Sequence, residues 1–480
     1  MQRASPLLFA PILLALAYVL NVYVDSGEVL ETLPRPMLLA ALGAGIVQLL
    51  ATALFQSPER GAIAAVLALT ALVHPILTLL LIAAGLTVRI VSRLRGRPVA
   101  LGALGMPVLL LFALSTVRVV TGPNFQLGDL VALSGGASVR SDQPDVFLVL
   151  LDAYPGADTL SKMGYDNKWF EEELTERGFD VSAAPRSNYS WTYLVLPTTF
   201  HMAHAADIAS LSAPPQTRPE QRRAIRNAMS ATPATARLRD AGYRIISAGL
   251  PGSSLTLRDV DEYLPDGSMT IFEHQILERM ALGELTKPFV LEAYRDRTLN
   301  TLDAMNAVAD DPASTFLFAH LLNPHVPFVF DRNGDIPQFS CSPDCSRYRL
   351  RADESGLSTE RFDAAYVDQV HYLNGLVLAS VDEILASSPG AVILLFSDHG
   401  MRATGQVTDE WYSTFFAART PGHDALYGDE ARPIEIFSRL FGAYFGDAIA
   451  IPADISFQSP YRNFLPLTIA PWPADPAAVR

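Results

Sequence analysis

The sequence predicts a bundle of membrane-spanning helices followed by an α/β domain with a mostly parallel, doubly wound sheet. Three observations lead there. Apolar residues crowd into the first 121 positions, whereas the remainder has an ordinary globular mixture. In that remainder, short apolar runs alternate with helical stretches, the pattern of strands joined by crossover helices. Two of the runs, 145–151 and 392–396, end in Asp152 and in Asp398-His399-Gly400. Apolar strands that finish in polar residues deliver those side chains to the carboxyl edge of a parallel sheet.

At 480 residues the chain is too long for one ordinary domain. Half of it is hydrophobic and its mean hydropathy is +0.22, high for a soluble protein. Residues 6–24 and 36–55 are each close to the roughly 20 that a bilayer core needs. A longer tract, 61–92, is broken at His74-Pro75, and 99–121 forms the last span. The long tract reads as one kinked helix or two short ones, so residues 1–121 hold four or five spans. Recurring apolar segments argue against a cleaved signal peptide. Arg89, Arg93, Arg95 and Arg97 place the loop before the last span in the cytoplasm. The last span then leads outward, and five spans also put Asp25, Glu28 and Glu31 outside. Residues 122–143, rich in Gly, Ser, Asp and Asn, read as a linker, and 144–480 as an outer domain. A net charge of −14 argues against a nucleic-acid partner.

Within the outer domain, strands are expected at 145–151, 244–249, 315–320 and 392–396. Helices are expected near 166–177, 218–240 and 359–387. Asp152, Asp398 and His399, far apart in sequence, converge if the two strands are neighbours, and together they suit one divalent cation. Cys341 and Cys345 on an oxidising face suggest a small loop disulfide, with two free thiols as the alternative.

These motifs resemble the sulfatase-like branch of the alkaline phosphatase superfamily, in particular the lipoteichoic acid synthases and lipid A phosphoethanolamine transferases. The resemblance covers residues 145–400. In that group an acidic residue ends the first strand, a threonine is the nucleophile and an Asp-His pair closes the metal site. Asp152, Thr192, Asp398 and His399 stand in those places, and Pro197 follows Thr192 at a similar spacing. Tyr165-Asp166-Asn167, Asn188-Tyr-Ser-Trp-Thr192, Tyr366-x-x-Gln369 and Tyr372-Leu-Asn374 look like a subgroup of bacterial membrane sulfatase-like proteins.

The resemblance implies a membrane-anchored, metal-dependent phosphotransferase on the outer face of the bacterial cytoplasmic membrane. Its substrate would be a lipid-linked or envelope glycan phosphodiester, attacked by Thr192. Ligation to a cation lowers a hydroxyl's pKa, which is why a threonine can serve. His325, in Asn-Pro-His-Val-Pro, is a candidate to bind the substrate's phosphate or to protonate the leaving oxygen. Asn188 is a candidate for orienting Thr192 or touching the head group. The metal set is Asp152, Thr192, Asp398 and His399 around one ion, Zn or Mn favoured and Mg compatible. No Cys-x-Pro-Ser-Arg motif occurs, which makes sulfate esters the less favoured substrate. A hydrolase of the same fold and a non-catalytic envelope scaffold are the alternatives. Ser190, Thr198 and Thr199 compete with Thr192 for the nucleophile's place. His320 reads as structural, and His201 and His204 as lining the helix after Thr192.

Overall fold

In the computed structural model the described residues are 6–26, 32–73, 78–79, 82, 106–120, 143–212, 218–249, 254–264, 269–280, 283–309, 313–337, 357–402, 407–458 and 470–472. Two compact units are present. The first comprises Met1–Ala132 with Met269–Pro288, and the second Leu133–Ser268 with Phe289–Arg480. The kink at His74-Pro75, the basic cluster from Arg89 to Arg97, almost all of the linker, and Cys341 and Cys345 lie outside the described residues.

Apolar helices dominate the first unit: Ala10–Ser26, Pro34–Phe55, Pro58–Val73 and Met106–Val120. Among the described residues two stretches are long and apolar enough to cross a bilayer, Leu7–Val24 and Pro34–Phe55. The other two helices, of 16 and 15 residues, fall short of the usual spanning length. Pro34–Phe55 exposes Leu38, Leu42, Leu49, Leu50 and Leu54. An aliphatic face of that size is stable against acyl chains and costly against water. Gly61 allows the next helix to approach closely, since a Cβ there would lie 2.3 Å from Thr52 Oγ1. The short helix Ile271–Glu278 also belongs to this unit. Its Phe272 and Ile276 pack with Val19, Leu20, Val22 and Tyr23, and Tyr18 donates from its hydroxyl to the Ile276 carbonyl at 2.9 Å.

A seven-stranded sheet organises the second unit. Its strands are β1 (Val146–Leu151), β2 (Asp180–Val181), β3 (Arg244–Ala248), β4 (Glu262–Leu264), β5 (Thr315–Leu321), β6 (Val392–Phe396) and β7 (Phe416–Arg419). The spatial order is β2-β7-β6-β1-β5-β3-β4. Strands β6, β1, β5, β3 and β4 pair in parallel, and β7 is antiparallel to both its neighbours. The mostly parallel sheet is therefore as expected, with an antiparallel β7 that the sequence did not betray. Side chains alternate strictly between two cores. Phe147, Val149, Leu151, Ile393 and Leu395 face one, and Val146, Leu148, Leu150, Leu394 and Phe396 the other. The first is covered by the long helix Thr359–Ser387 through Phe362, Val370, Leu373 and Val377. The second is covered by Thr192–His201 and Ile436–Phe445, through Leu194, Phe200, Phe437 and Phe441. Helices on both faces bury every strand residue of β1 and β6, which is why these strands are apolar throughout rather than alternating. The expected helix at 218–240 is two, Arg218–Ala228 and Pro233–Asp240. Thr232 caps the second through the Thr235 N–H, and Pro233 begins it.

Candidate metal centre and active site

Register brings the site together. Leu150 on β1 lies opposite Phe396 on β6, so Asp152 and Asp398, each two residues further on, leave the sheet side by side. One oxygen or nitrogen from each of Asp152, Asp398 and His399 lies within 4.8 Å of the others, and all three residues are buried. His399 Nε2 is 3.4 Å from Asp398 Oδ2 and 3.7 Å from Asp152 Oδ1.

The remaining polar atoms of these three residues are mostly partnered. Asp398 Oδ1 accepts from the Ala153 N–H at 3.1 Å. Asp152 Oδ2 accepts from His320 Nε2 at 3.0 Å. His399 Nδ1 donates to the Gly400 carbonyl at 2.8 Å, which puts the ring proton on Nδ1 and leaves Nε2 as a bare acceptor. What is left over is one acceptor from each residue: Asp152 Oδ1, Asp398 Oδ2 and His399 Nε2, all buried without a hydrogen-bond partner. Three converging acceptors without a donor are costly in an interior unless a cation sits among them. The buried Asp-Asp-His group therefore fits a divalent metal ion.

Protonation agrees with that fit. Burial, helped by the Arg402 charge, pushes the His399 imidazole down to about 4, so it is neutral near pH 7, the form that can ligate a metal. Burial raises the Asp398 carboxyl, but the adjacent imidazole, the Thr192 hydroxyl and the Ala153 N–H outweigh it and hold it below the ordinary range.

Thr192 is the first residue of its helix and is buried. Its hydroxyl is close enough to Asp398 to help hold that carboxyl down, which places it beside the three acceptors. Two of its competitors are engaged elsewhere, since Thr198 and Thr199 donate back to carbonyls of their own helix, while Ser190 Oγ is buried near the Tyr412 hydroxyl. His325 keeps part of its surface exposed and its ring centroid lies 6.3 Å from that of His399. Its Nδ1 donates to the Val326 carbonyl at 2.7 Å, and burial lowers its pKa. A neutral ring with its proton on Nδ1 presents Nε2 as an acceptor, which suits taking a proton better than giving one. Asn188 is further committed: its amide nitrogen donates to the Ile455 carbonyl at 2.9 Å, while its Oδ1 is buried without a hydrogen-bond partner. His201 bonds the Ala228 carbonyl, and His204 bonds Tyr189 and the Ala453 carbonyl, so both are structural among the described residues.

Two residues beside the site were not assigned to it by sequence, which passes over Arg402 and reads His320 as structural. One is Arg402, whose guanidinium lies 4.0 Å above the Trp191 ring and donates to the Ser190 carbonyl at 3.2 Å. A cation is thus fastened to the two residues before Thr192. The other is His320, the partner of Asp152. The tyrosine and asparagine motifs prove to be the scaffold behind the site. Tyr366 donates to the Ala153 carbonyl, and Gln369 bonds Pro324 and Val329 on the His325 loop. Tyr154, Asn167 and Asn374 close a buried hydrogen-bonded triangle.

No family model and no curated protein matches the chain. Several solved structures are similar to it. The C-terminal periplasmic domain of EptC from Escherichia coli, in complex with Zn, shares 15% identity over 72% of this chain and 96% of that one, with a TM-score of 0.46. A phosphonate monoester hydrolase from Silicibacter pomeroyi shares 15% over 68% and 82%, also at 0.46. The 2-O GAG sulfatase BT1596 shares 12% over 68% and 74%, at 0.42.

Proposed function

We propose that the chain is a membrane-anchored, metal-dependent phosphotransferase that uses Thr192 as its nucleophile. The observation that carries this reading is the convergence of three unpartnered buried acceptors, Asp152 Oδ1, Asp398 Oδ2 and His399 Nε2, beside the Thr192 hydroxyl. A divalent ion held there, Zn or Mn by its mixed oxygen and nitrogen set, with Mg compatible, would lower the hydroxyl's pKa and offset charge on the phosphoryl oxygens. Thr192 Oγ1 forms a bond to phosphorus as the bond to the leaving alcohol breaks. The proton that Thr192 gives up is balanced by the one the leaving oxygen gains. His325 Nε2 then removes a proton from an incoming hydroxyl, whose oxygen bonds to phosphorus as the bond to Thr192 Oγ1 breaks, and that proton passes to Thr192 Oγ1 to restore its hydroxyl. Arg402 and the N-terminus of the Thr192 helix face the negative charge that develops. Asn188 holds the loop that carries Thr192 and leaves one amide oxygen for a donor on the substrate.

The apolar helices of the first unit make a lipid-linked or envelope-glycan phosphodiester the natural substrate class, since a tethered site meets such donors in two dimensions. The location we assign is the outer face of the bacterial cytoplasmic membrane, with several passes and the outer domain from residue 144. The test is turnover of mass-tagged envelope lipid by membranes carrying the full chain, with phosphothreonine sought by mass spectrometry. Wild-type protein should carry the modification at Thr192, and Thr192→Ala should lose both the modification and turnover. Undiminished turnover in Thr192→Ala would remove it from the mechanism.

A further inference from the structure

We infer that His320 is a positioning residue: it holds Asp152 so that one carboxylate oxygen is presented to the metal, and it thereby sets metal affinity. This rests on the metal reading above and adds a residue that the motifs did not include. His320 stands on β5 opposite Leu150, one strand over from Asp152 and two residues short of it along the sheet. An imidazole is long enough to cover that diagonal; serine or threonine is not. His320 is 2% exposed and its Nε2 lies 3.0 Å from Asp152 Oδ2. The carboxylate can only accept, so Nε2 carries the proton.

The consequence is geometric. A carboxylate has two equivalent oxygens and one free torsion, and a buried Asp with neither oxygen engaged could turn or bind through both. His320 engages Oδ2, and Oδ1 is then left facing Asp398 Oδ2 and His399 Nε2. The backbone of Asp152 is held from the same side: its N–H donates to the Leu321 carbonyl at 3.0 Å and its carbonyl accepts from the His325 N–H at 2.9 Å. Strand β5 and the loop after it therefore fix both the main chain and the side chain of this one ligand. A hydrogen bond to the oxygen of a metal-binding carboxylate that faces away from the ion both orients it and tunes its affinity, and removing such a partner costs about 10–100-fold in metal binding.

The experiment measures Zn and Mn dissociation constants by competition with a chromogenic chelator, on the full chain in detergent. His320→Phe keeps the ring volume and loses the donor, and should weaken binding about 10–100-fold. His320→Gln places an amide N–H at nearly the same reach and should recover most of that loss. In an Asp152→Ala background there is nothing to orient, so adding His320→Phe should change affinity less than about 2-fold. Unaltered affinity in His320→Phe overturns the inference. So does His320→Gln binding as poorly as His320→Phe, which would mark packing rather than hydrogen bonding, or an equal loss in the Asp152→Ala background. Wild-type protein that binds neither metal would instead defeat the metal reading itself, a result distinct from the others because it appears before any substitution.

Discussion

At the scale of single residues, most polar atoms of the candidate site have partners, and the exceptions are the three acceptors that fit a metal ion. Asp152, Asp398 and His399 were legible in the sequence because each ends an apolar strand. Their companions were not. His320 acts on Asp152 only because β5 lies next to β1 in one register, and Arg402 matters only because it folds back over Trp191. Arg402→Gln should lower kcat/KM by about 10²-fold, mostly in kcat, while metal content stays at the wild-type level. Loss of metal in that variant would show that the arginine supports the fold instead. His399 gives a pH prediction. Its folded value, about 4, lies below its ordinary 6.5, so the unfolded chain binds the proton more readily. The metal-free protein should therefore lose stability as pH falls from 6.5 toward 4, by up to about 1.4 kcal/mol per unit, and keep it above 6.5. Thermal unfolding of chelator-treated protein across that range checks the sign.

At the scale of elements, the strand ends and the turns behind them decide whether the acceptors meet. Gly400 follows His399 directly and is packed against backbone: a Cβ there would lie 2.0 Å from the Glu410 carbonyl oxygen and 2.3 Å from that of Ser413. Gly400→Ala must push one of these segments away, and because its own carbonyl anchors His399 Nδ1, the ring moves too. We expect a loss of about 1–3 kcal/mol with reduced metal occupancy, read by thermal unfolding and metal analysis. Stability lost without metal lost would separate the turn from the site. Strands β1, β5 and β6 were readable as short apolar runs, and the helix Thr359–Ser387 from its period and length. The four-residue β7 and the two-residue edge strand β2 were not, because so few residues offer no period to detect.

At the scale of the whole molecule, the division into two units is less simple than chain order suggests. Residues 269–288 interrupt the second unit's sequence, yet they belong to the first unit, where Phe272 is 1% exposed. A fragment beginning at residue 143 would lack Val19, Leu20 and Tyr23, and would expose Phe272 and Ile276 to water. We expect it to aggregate without detergent, and Phe272→Ser with Ile276→Ser to restore a monodisperse peak in size-exclusion chromatography. A fragment that is monodisperse unaltered would show that this packing is dispensable.

What the sequence determined alone follows from local chemistry: which segments are apolar enough for a bilayer, which runs are buried strands, and which strand ends carry ligand-type side chains. Composition and period are properties of neighbouring residues, so they survive reading in one dimension. What only the tertiary structure decided depends on distance between segments remote in the chain. That includes the order β6-β1-β5, the engagement of Asp152 by His320, the seat of Arg402 beside Thr192, and the return of Ile271–Glu278 to the first helix. Each is set by packing and register, where a shift of one residue turns a side chain to the opposite face of the sheet.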